Sequence, residues 1–249
     1  VFIRPCARGG DWVTPRGSPA GSASKNCVAY VSVMQYFCCR LEIYMNWTEF
    51  REKLFELACF SVNQVYAWQP GFDRNNFVNW TRKGYLIRLR RGMYAFPEYI
   101  SEPGMAAHFA GKIYAPSYVS LHSALSFYGL IPESVLQITS VTSLKTASFK
   151  NPFGEYSYKS VRKDLMFGYT PLPLMGGRTT CYATREKALL DLLYLYPFYK
   201  TEHDLADLRL DEDILHDDFD LTEWESSGAR FKCKALEKRM QLLEKVYDL

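Results

Sequence analysis

The feature that most constrains this chain is a change of apolar period inside one short stretch, Thr48 to Phe96, from a helical repeat to strict alternation. Behind Thr48, the residues Phe50, Leu54, Leu57 and Ala58 recur at i, i+4, i+7 and i+8, which predicts a capped amphipathic helix. Phe60-Ser61 breaks it, and Ser61 is placed to cap a short second helix, Val62 to Ala67. Gln69-Pro70-Gly71 reads as a turn. Asp73 then caps a third helix over Arg74 to Lys83, with Gly84 where helices end in the left-handed conformation. On that helix Phe77 and Trp80 point one way, and Asn75, Val78, Asn79 and Arg82 the other. In the next run, Tyr85 to Arg90, alternation puts Leu86, Arg88 and Arg90 on one face and Ile87 and Leu89 on the other. Arg91-Gly92 turns the chain, and Met93 to Phe96 returns as a second strand that Pro97 stops. Three short helices followed by a two-stranded ribbon predict a winged helix-turn-helix domain over residues 45–100.

Charge sharpens this reading. Lys plus Arg number 30 against 27 Asp plus Glu, a net +3, which excludes a histone-like chain but not a local basic patch. Arg82, Lys83, Arg88, Arg90 and Arg91 fall within ten residues that contain no acid. The third helix would span ~15 Å, enough to lie in a major groove. Its outer asparagines suit adenine edges and its arginine suits guanine. The predicted contacts to double-stranded DNA are therefore Arg74, Asn75, Asn79, Arg82, Lys83, Arg88, Arg90 and Arg91. With the five clustered cations all on phosphate, the log–log salt slope would approach about −4.5. Basic helix ends also complement the helix dipole, and winged helices also serve as protein-interaction modules. The occurrence of cations on both the third helix and the wing favours nucleic acid.

Residues 1–44 differ from the rest. Arg8 to Lys25 is rich in Gly, Ser, Pro and Arg without any period, and a short apolar piece, Cys27 to Cys39, follows. This is an irregular extension, either an arm reaching nucleic acid or a partner, or a non-native segment upstream of a true start at Met45; composition favours the second. The best apolar stretch, Val28 to Tyr44, is interrupted by Gln35, Arg40 and Glu42, short of the ~18–20 apolar residues of a membrane span. Val1 to Gly10 carries Arg4 and Arg8 with no apolar block of signal type behind them. The seven cysteines, Cys6, Cys27, Cys38, Cys39, Cys59, Cys181 and Cys233, show no C-x-x-C spacing. A disulfide framework or zinc ribbon is not expected, and a soluble, cytoplasmic protein without a membrane partner is.

Beyond a hinge at Ser101-Glu102-Pro103-Gly104, a second domain is predicted over residues 103–249. Met105 to Tyr114 reads as a helix. Ser117 to Ile131 reads as one capped helix closed by Gly129 and Pro132. Strands are expected at Gln137 to Thr142, Ala147 to Phe149 and Tyr156 to Val161, with a turn at Asn151-Pro152-Phe153-Gly154 and a fourth strand at Leu165 to Tyr169. Thr184 to Leu195 is a strong helix. From Glu202 to Glu225 there are eleven acids and one base, Arg209; from Arg230 to Lys245 there are six bases and two acids. The fold class is thus α+β: an N-terminal winged helix-turn-helix and a mixed C-terminal domain closed by an acidic, then basic, helical tail.

An enzyme finds little support in the residues. His108, His122, His203 and His216 have no metal-ligand spacing, although His203 and His216 sit among acids. Asp191 follows Lys187 by four residues, which a helical ion pair explains. Asp211, Glu212, Asp213, Asp217 and Asp218 could bind magnesium in a nuclease or nucleotidyltransferase-like enzyme, but runs of acids are usually hydrated surface. There is no G-x-S-x-G, P-loop or dinucleotide fingerprint, and Gly176-Gly177-Arg178 is a lone turn. No catalytic residue, cofactor or metal is expected.

The runs Lys112 to Leu121, Ser123-Ala124-Leu125 and Tyr128 to Glu133 resemble the AbiEi antitoxin family of type IV, abortive-infection toxin–antitoxin systems. Ile138 to Thr142, Lys145-Thr146, Phe153-Gly154 and Glu186 to Leu193 add to the likeness, and Leu89 to Phe96 resembles that family's wing. The similarity covers about Met45 to Tyr196, with His122 standing where the family would place an acid. The resemblance implies a bacterial or archaeal autorepressor whose winged helix binds inverted repeats in its own promoter. It also implies a C-terminal domain that counters a nucleotidyltransferase-like toxin without an obligatory stable complex. Asn79, Arg82, Lys83, Arg88, Arg90 and Arg91 are the positions that carry over. An orphan regulator without a toxin is the alternative within the same resemblance.

Overall fold

The computed structural model of the chain describes residues 46–249, and the expectations for residues 1–44 lie outside the described residues. Helix α1 (Trp47–Leu54) is capped by the Asn46 side chain, which accepts from the Thr48 amide at 3.4 Å. The cap therefore stands two residues upstream of the expected Thr48. The helix also stops short of Leu57 and Ala58: Phe55–Leu57 tightens into a 3-10 turn, Leu57 is exposed, and Ala58 at φ 59° swings the chain into strand β1 (Cys59–Ser61). Ser61 ends that strand and caps α2 (Val62–Trp68). Its hydroxyl accepts from the Gln64 amide at 3.2 Å while the Gln64 side chain accepts from the Ser61 amide at 2.8 Å, a reciprocal box. Helix α3 (Asn75–Arg82) and strands β2 (Ile87–Arg90) and β3 (Met93–Ala95) follow. The strands form an antiparallel sheet in the order β1-β3-β2, so the expected two-stranded ribbon has a third member.

Rings fill the space between these helices and strands. Phe50 meets Trp80 at 4.6 Å between centroids, and Phe77 stacks on Tyr94 at 4.9 Å and 8°. The same core takes in Phe109, Ala110 and Ile113 from α4 (Met105–Ile113), and Tyr156 and Tyr158 from further along the chain. Ala107 of α4 belongs instead to the second core. The segment Ser101-Glu102-Pro103-Gly104 thus leads into a helix that serves both cores, and Met45–Leu249 forms one compact unit.

The second core lies on a six-stranded mixed sheet, ordered β6-β7-β5-β4-β9-β8. Its strands are β4 (Ser117–Val119), β5 (Gln137–Thr142), β6 (Ala147–Asn151), β7 (Gly154–Ser160), β8 (Tyr169–Pro173) and β9 (Thr179–Ala183). The pairs β4–β9 and β5–β7 are parallel; the others are antiparallel. Two expectations need correction. Ser117 to Ile131 is not one helix but β4 followed by the short α5 (His122–Phe127), with the chain redirected at Leu121, φ 58°. Tyr118 and Val119 suit a strand, and pairing on both sides outweighs the helical period. The fourth expected strand starts only at Tyr169, because Lys163–Leu165 is a 3-10 turn. Pro171 and Pro173 hide β8 in the sequence and are tolerated because it is an edge strand. The other end strand, β6, lies against β2 of the small sheet, where the Asn151 Nδ2 donates to the Leu89 carbonyl at 3.3 Å.

Helix α6 (Arg185–Leu195), capped by Thr184, is buried through most of its length. The tail adds α7 (Glu202–Ala206), α8 (Glu212–Asp217), α9 (Leu221–Arg230) and α10 (Lys234–Tyr247). No helix of the described residues is long and apolar enough to cross a membrane.

Candidate nucleic-acid interface

Helix α3 begins where Asp73 Oδ1 accepts from the Asn75 amide at 2.9 Å and ends before Gly84, whose φ of 76° favours a glycine. Phe77 and Trp80 are buried and fix its rotation about its own axis. Arg74, Asn75, Asn79, Arg82 and Lys83 are all exposed on the outer side, as is Val78 at 55%. The helical period therefore places these residues as the sequence suggested.

The ribbon does not follow its expected alternation. In the register Arg88 opposes Tyr94 while Arg90 opposes Met93, so two residues of β2 advance against one of β3: a bulge at Leu89. Arg88 consequently shares a face with Tyr94 and with Phe60 of β1, the face on which Tyr94 stacks against Phe77 of α3. Arg90 turns to the opposite face, with Met93 and Ser61. There it is half-buried, and its Nε has no hydrogen-bond partner among the described residues. Leu86 and Leu89, three apart, are both buried. The expectation that Leu86, Arg88 and Arg90 share a face is corrected by this one extra residue, and Arg90 is separated from the other cations. Arg91 is exposed at the turn. Gly92 there has φ 78°, and its carbonyl accepts from the Val62 amide at 3.0 Å, tying the turn to the start of α2.

None of Arg74, Arg82, Lys83, Arg88, Arg90 and Arg91 makes a salt bridge to a described residue, whereas nearby Arg51 is bound to Glu98 at 3.1 Å. Arg88 only brings its Nε to 3.4 Å from the Arg90 carbonyl. The exposed set thus keeps its full charge available to an anion, with the helix C-terminus favouring the cations Arg82 and Lys83.

The C-terminal acids are used locally. Asp204 completes a capping box with Thr201, Asp211 caps α8 through the Ile214 amide at 3.0 Å, and Asp220 caps α9. Asp218 pairs with Arg185, and Glu202 with Lys245 of the basic helix. His203 Nδ1 lies 3.1 Å from Asp207 on the surface, and a hydrogen bond with its own backbone, then the Asp207 charge, raise its pKa. No group of three or more His, Cys, Asp or Glu among the described residues is arranged to hold a metal ion. Cys59, Cys181 and Cys233 are free thiols, and burial pushes Cys59 up to about 11. A cavity of about 390 Å³ is lined by His122, Thr139, Tyr196 and Tyr199 with Glu133 and Asp207. Burial lowers the His122 pKa, but both carboxylates already serve basic partners, Arg209 and His203. No protein-family model matches the chain, and no curated protein matches its sequence.

Proposed function

We propose that this chain is a DNA-binding transcriptional autorepressor that also acts as the antitoxin of a type IV toxin–antitoxin system. The observation that carries the DNA half is the exposed face of α3. Asn75, Val78, Asn79 and Arg82 line it, Lys83 sits at its end, and Arg88 stands on the sheet face that α3 packs against. The order α1-β1-α2-α3-β2-β3, with its small antiparallel sheet, supports a winged helix-turn-helix with α3 as the recognition helix. In this reading Arg74, Asn75, Asn79, Arg82, Lys83, Arg88 and Arg91 meet double-stranded DNA in the cytoplasm, while Arg90 serves packing. Removing Arg90 from the clustered cations lowers the expected salt slope to about −3.6, from four phosphate contacts at about −0.9 each. The antitoxin half rests on the resemblance of residues 112–133 and 186–193 to the AbiEi family.

The test is binding to the protein's own upstream DNA and to a scrambled duplex across a salt series. Selective binding that weakens with salt, and is lost in Asn79→Ala with Arg82→Ala, is expected. Equal affinity for both duplexes would overturn the repressor reading. Rescue of growth when the chain is expressed beside a nucleotidyltransferase-like toxin tests the second half, and failure to rescue leaves an orphan regulator.

A further inference from the structure

Between α4 and the strands β4 and β9 lies a cleft of about 150 Å³, lined by His108, Gly111 and Lys112 from the helix and by Ser117, Thr180 and Cys181 from the strands. A cavity of roughly 150 Å³ takes up a guest as large as benzene, so a group of several heavy atoms fits. Its walls carry polar groups beside the apolar Val119 and Cys181. Ser117 and Val119 alternate on β4, and Thr180 shares the face of Tyr182, which is in register with Val119. Both hydroxyls therefore stand on one side of the sheet, within the cleft's lining. Thr180 is 4% exposed, and neither its Oγ1 nor the Ser117 Oγ has a hydrogen-bond partner among the described residues. Buried hydroxyls are rarely left so.

His108, 6% exposed, supplies the complementary group. Its Nδ1 lies 2.9 Å from the Thr179 carbonyl oxygen. A carbonyl can only accept, so Nδ1 carries a proton, and in the neutral ring Nε2 keeps a lone pair. Burial lowers the pKa of this ring, the Thr179 hydrogen bond opposes the shift, and the Lys112 and Arg178 charges add to it. Lys112 is exposed at the rim, and no carboxylate lines the cleft. The wall thus offers two unused hydroxyl donors, an ammonium group and one neutral acceptor. That combination matches an anion that still carries an O–H.

We propose that this cleft binds inorganic phosphate, with Ser117, Thr180 and Lys112 donating to its oxygens and His108 Nε2 accepting from its P–OH. Both hydroxyl oxygens are shielded from solvent and have no partner among the described residues, so each has to rotate toward the guest to donate. Sulfate has the same shape but no O–H at neutral pH. A phosphate monoester loses most of its own above its second pKa of about 6. The proposal does not depend on DNA binding.

Calorimetry and thermal unfolding of the full chain, with phosphate, sulfate or a nucleoside monophosphate at equal ionic strength, test it. Phosphate is expected to bind, to raise the unfolding midpoint and to move the His108 ring titration upward. Sulfate and the monoester are expected to bind about tenfold or more weakly, the worth of one strong hydrogen bond. A Cβ at Gly111 would meet nothing within 4 Å, so Gly111→Leu should fill the cleft without a clash. That variant should keep its stability and lose the phosphate response. Thr180→Val and Ser117→Ala should each weaken binding about tenfold or more, and they provide the test if the leucine variant does not fold. Absence of any phosphate effect in the wild type would overturn the proposal. So would equal responses to phosphate and sulfate, or a response undiminished in these variants.

Discussion

Lys187 and Asp191 are one turn apart on α6, and both side chains are wholly shielded from solvent. Tyr118 and Ser120 each donate to Asp191 Oδ2 at 2.9 Å, Lys187 Nζ reaches the Tyr118 hydroxyl at 2.9 Å, and the Phe167 and Phe231 rings lie 4.9 Å from the ammonium. Burial drives the Asp191 pKa up and the Lys187 pKa down, and their attraction opposes both shifts. Removing one partner strands a charge, so Asp191→Ala should cost about 3–5 kcal/mol in urea unfolding, while Lys187→Met with Asp191→Leu should be far milder. Equal losses for the single and the double would refute this. The four-residue spacing was legible in the sequence; the burial was not, because it depends on Tyr118 and Phe231, distant in the chain. A second prediction concerns pH. Burial lowers the pKa of His108 and His122 below the ordinary 6.5. On acidification the unfolded chain takes up protons first, so stability should be full above 6.5 and decline as pH falls below it. Melting temperatures should show that decline, with a shallower slope in His108→Gln and His122→Gln; a flat profile in the wild type would sink the idea.

Strand β2 shows what one inserted residue does to an element. Because the bulge at Leu89 sends Arg88 and Arg90 to opposite faces, the three wing arginines should separate by experiment. Arg88→Ala and Arg91→Ala should each reduce the salt slope of DNA binding by about 0.9, whereas Arg90→Ala should leave the slope alone and lower the unfolding midpoint. A reduced slope for Arg90→Ala would place that side chain on DNA after all. The helices around this strand were legible because their ends carry chemistry: Ser61 with Gln64, Asp73 before α3, and Gly84 after it. A bulge demands no particular residue type, and Arg88-Leu89-Arg90 reads as plain alternation without its partner strand. The acidic segment reads as charge in the sequence, whereas three of its eleven acids, Asp204, Asp211 and Asp220, serve as capping groups at the starts of three helices. Strand β9 is not among the strands expected from the sequence, although Thr179-Thr180-Cys181-Tyr182 has the β-branched and aromatic content of one.

At the scale of the molecule, α4 joins what the sequence divides. Phe109 and Ile113 pack in the first core with Tyr156 and Tyr158, and the Tyr158 hydroxyl donates to the Ala110 carbonyl at 2.7 Å. Pro103-Gly104 has the composition of a linker, and only contacts made some fifty residues later in the chain (Tyr158 to Ala110, 48 apart) show otherwise. Residues 45–249 should therefore unfold in one transition, with circular dichroism and tryptophan fluorescence coincident. Two separated transitions would mean that the halves are independent. The placement of β6 against β2 has a further consequence. A strand at the end of a sheet presents unpaired amides and carbonyls that can template growth into fibrils. Here the two sheets each cover one such end of the other, with Asn151 spanning the seam, and β8 closes the far end with Pro171 and Pro173, which have no amide hydrogen to offer. The same contact that orients the small sheet thereby shields the β2 and β6 edges from pairing with the strands of another molecule.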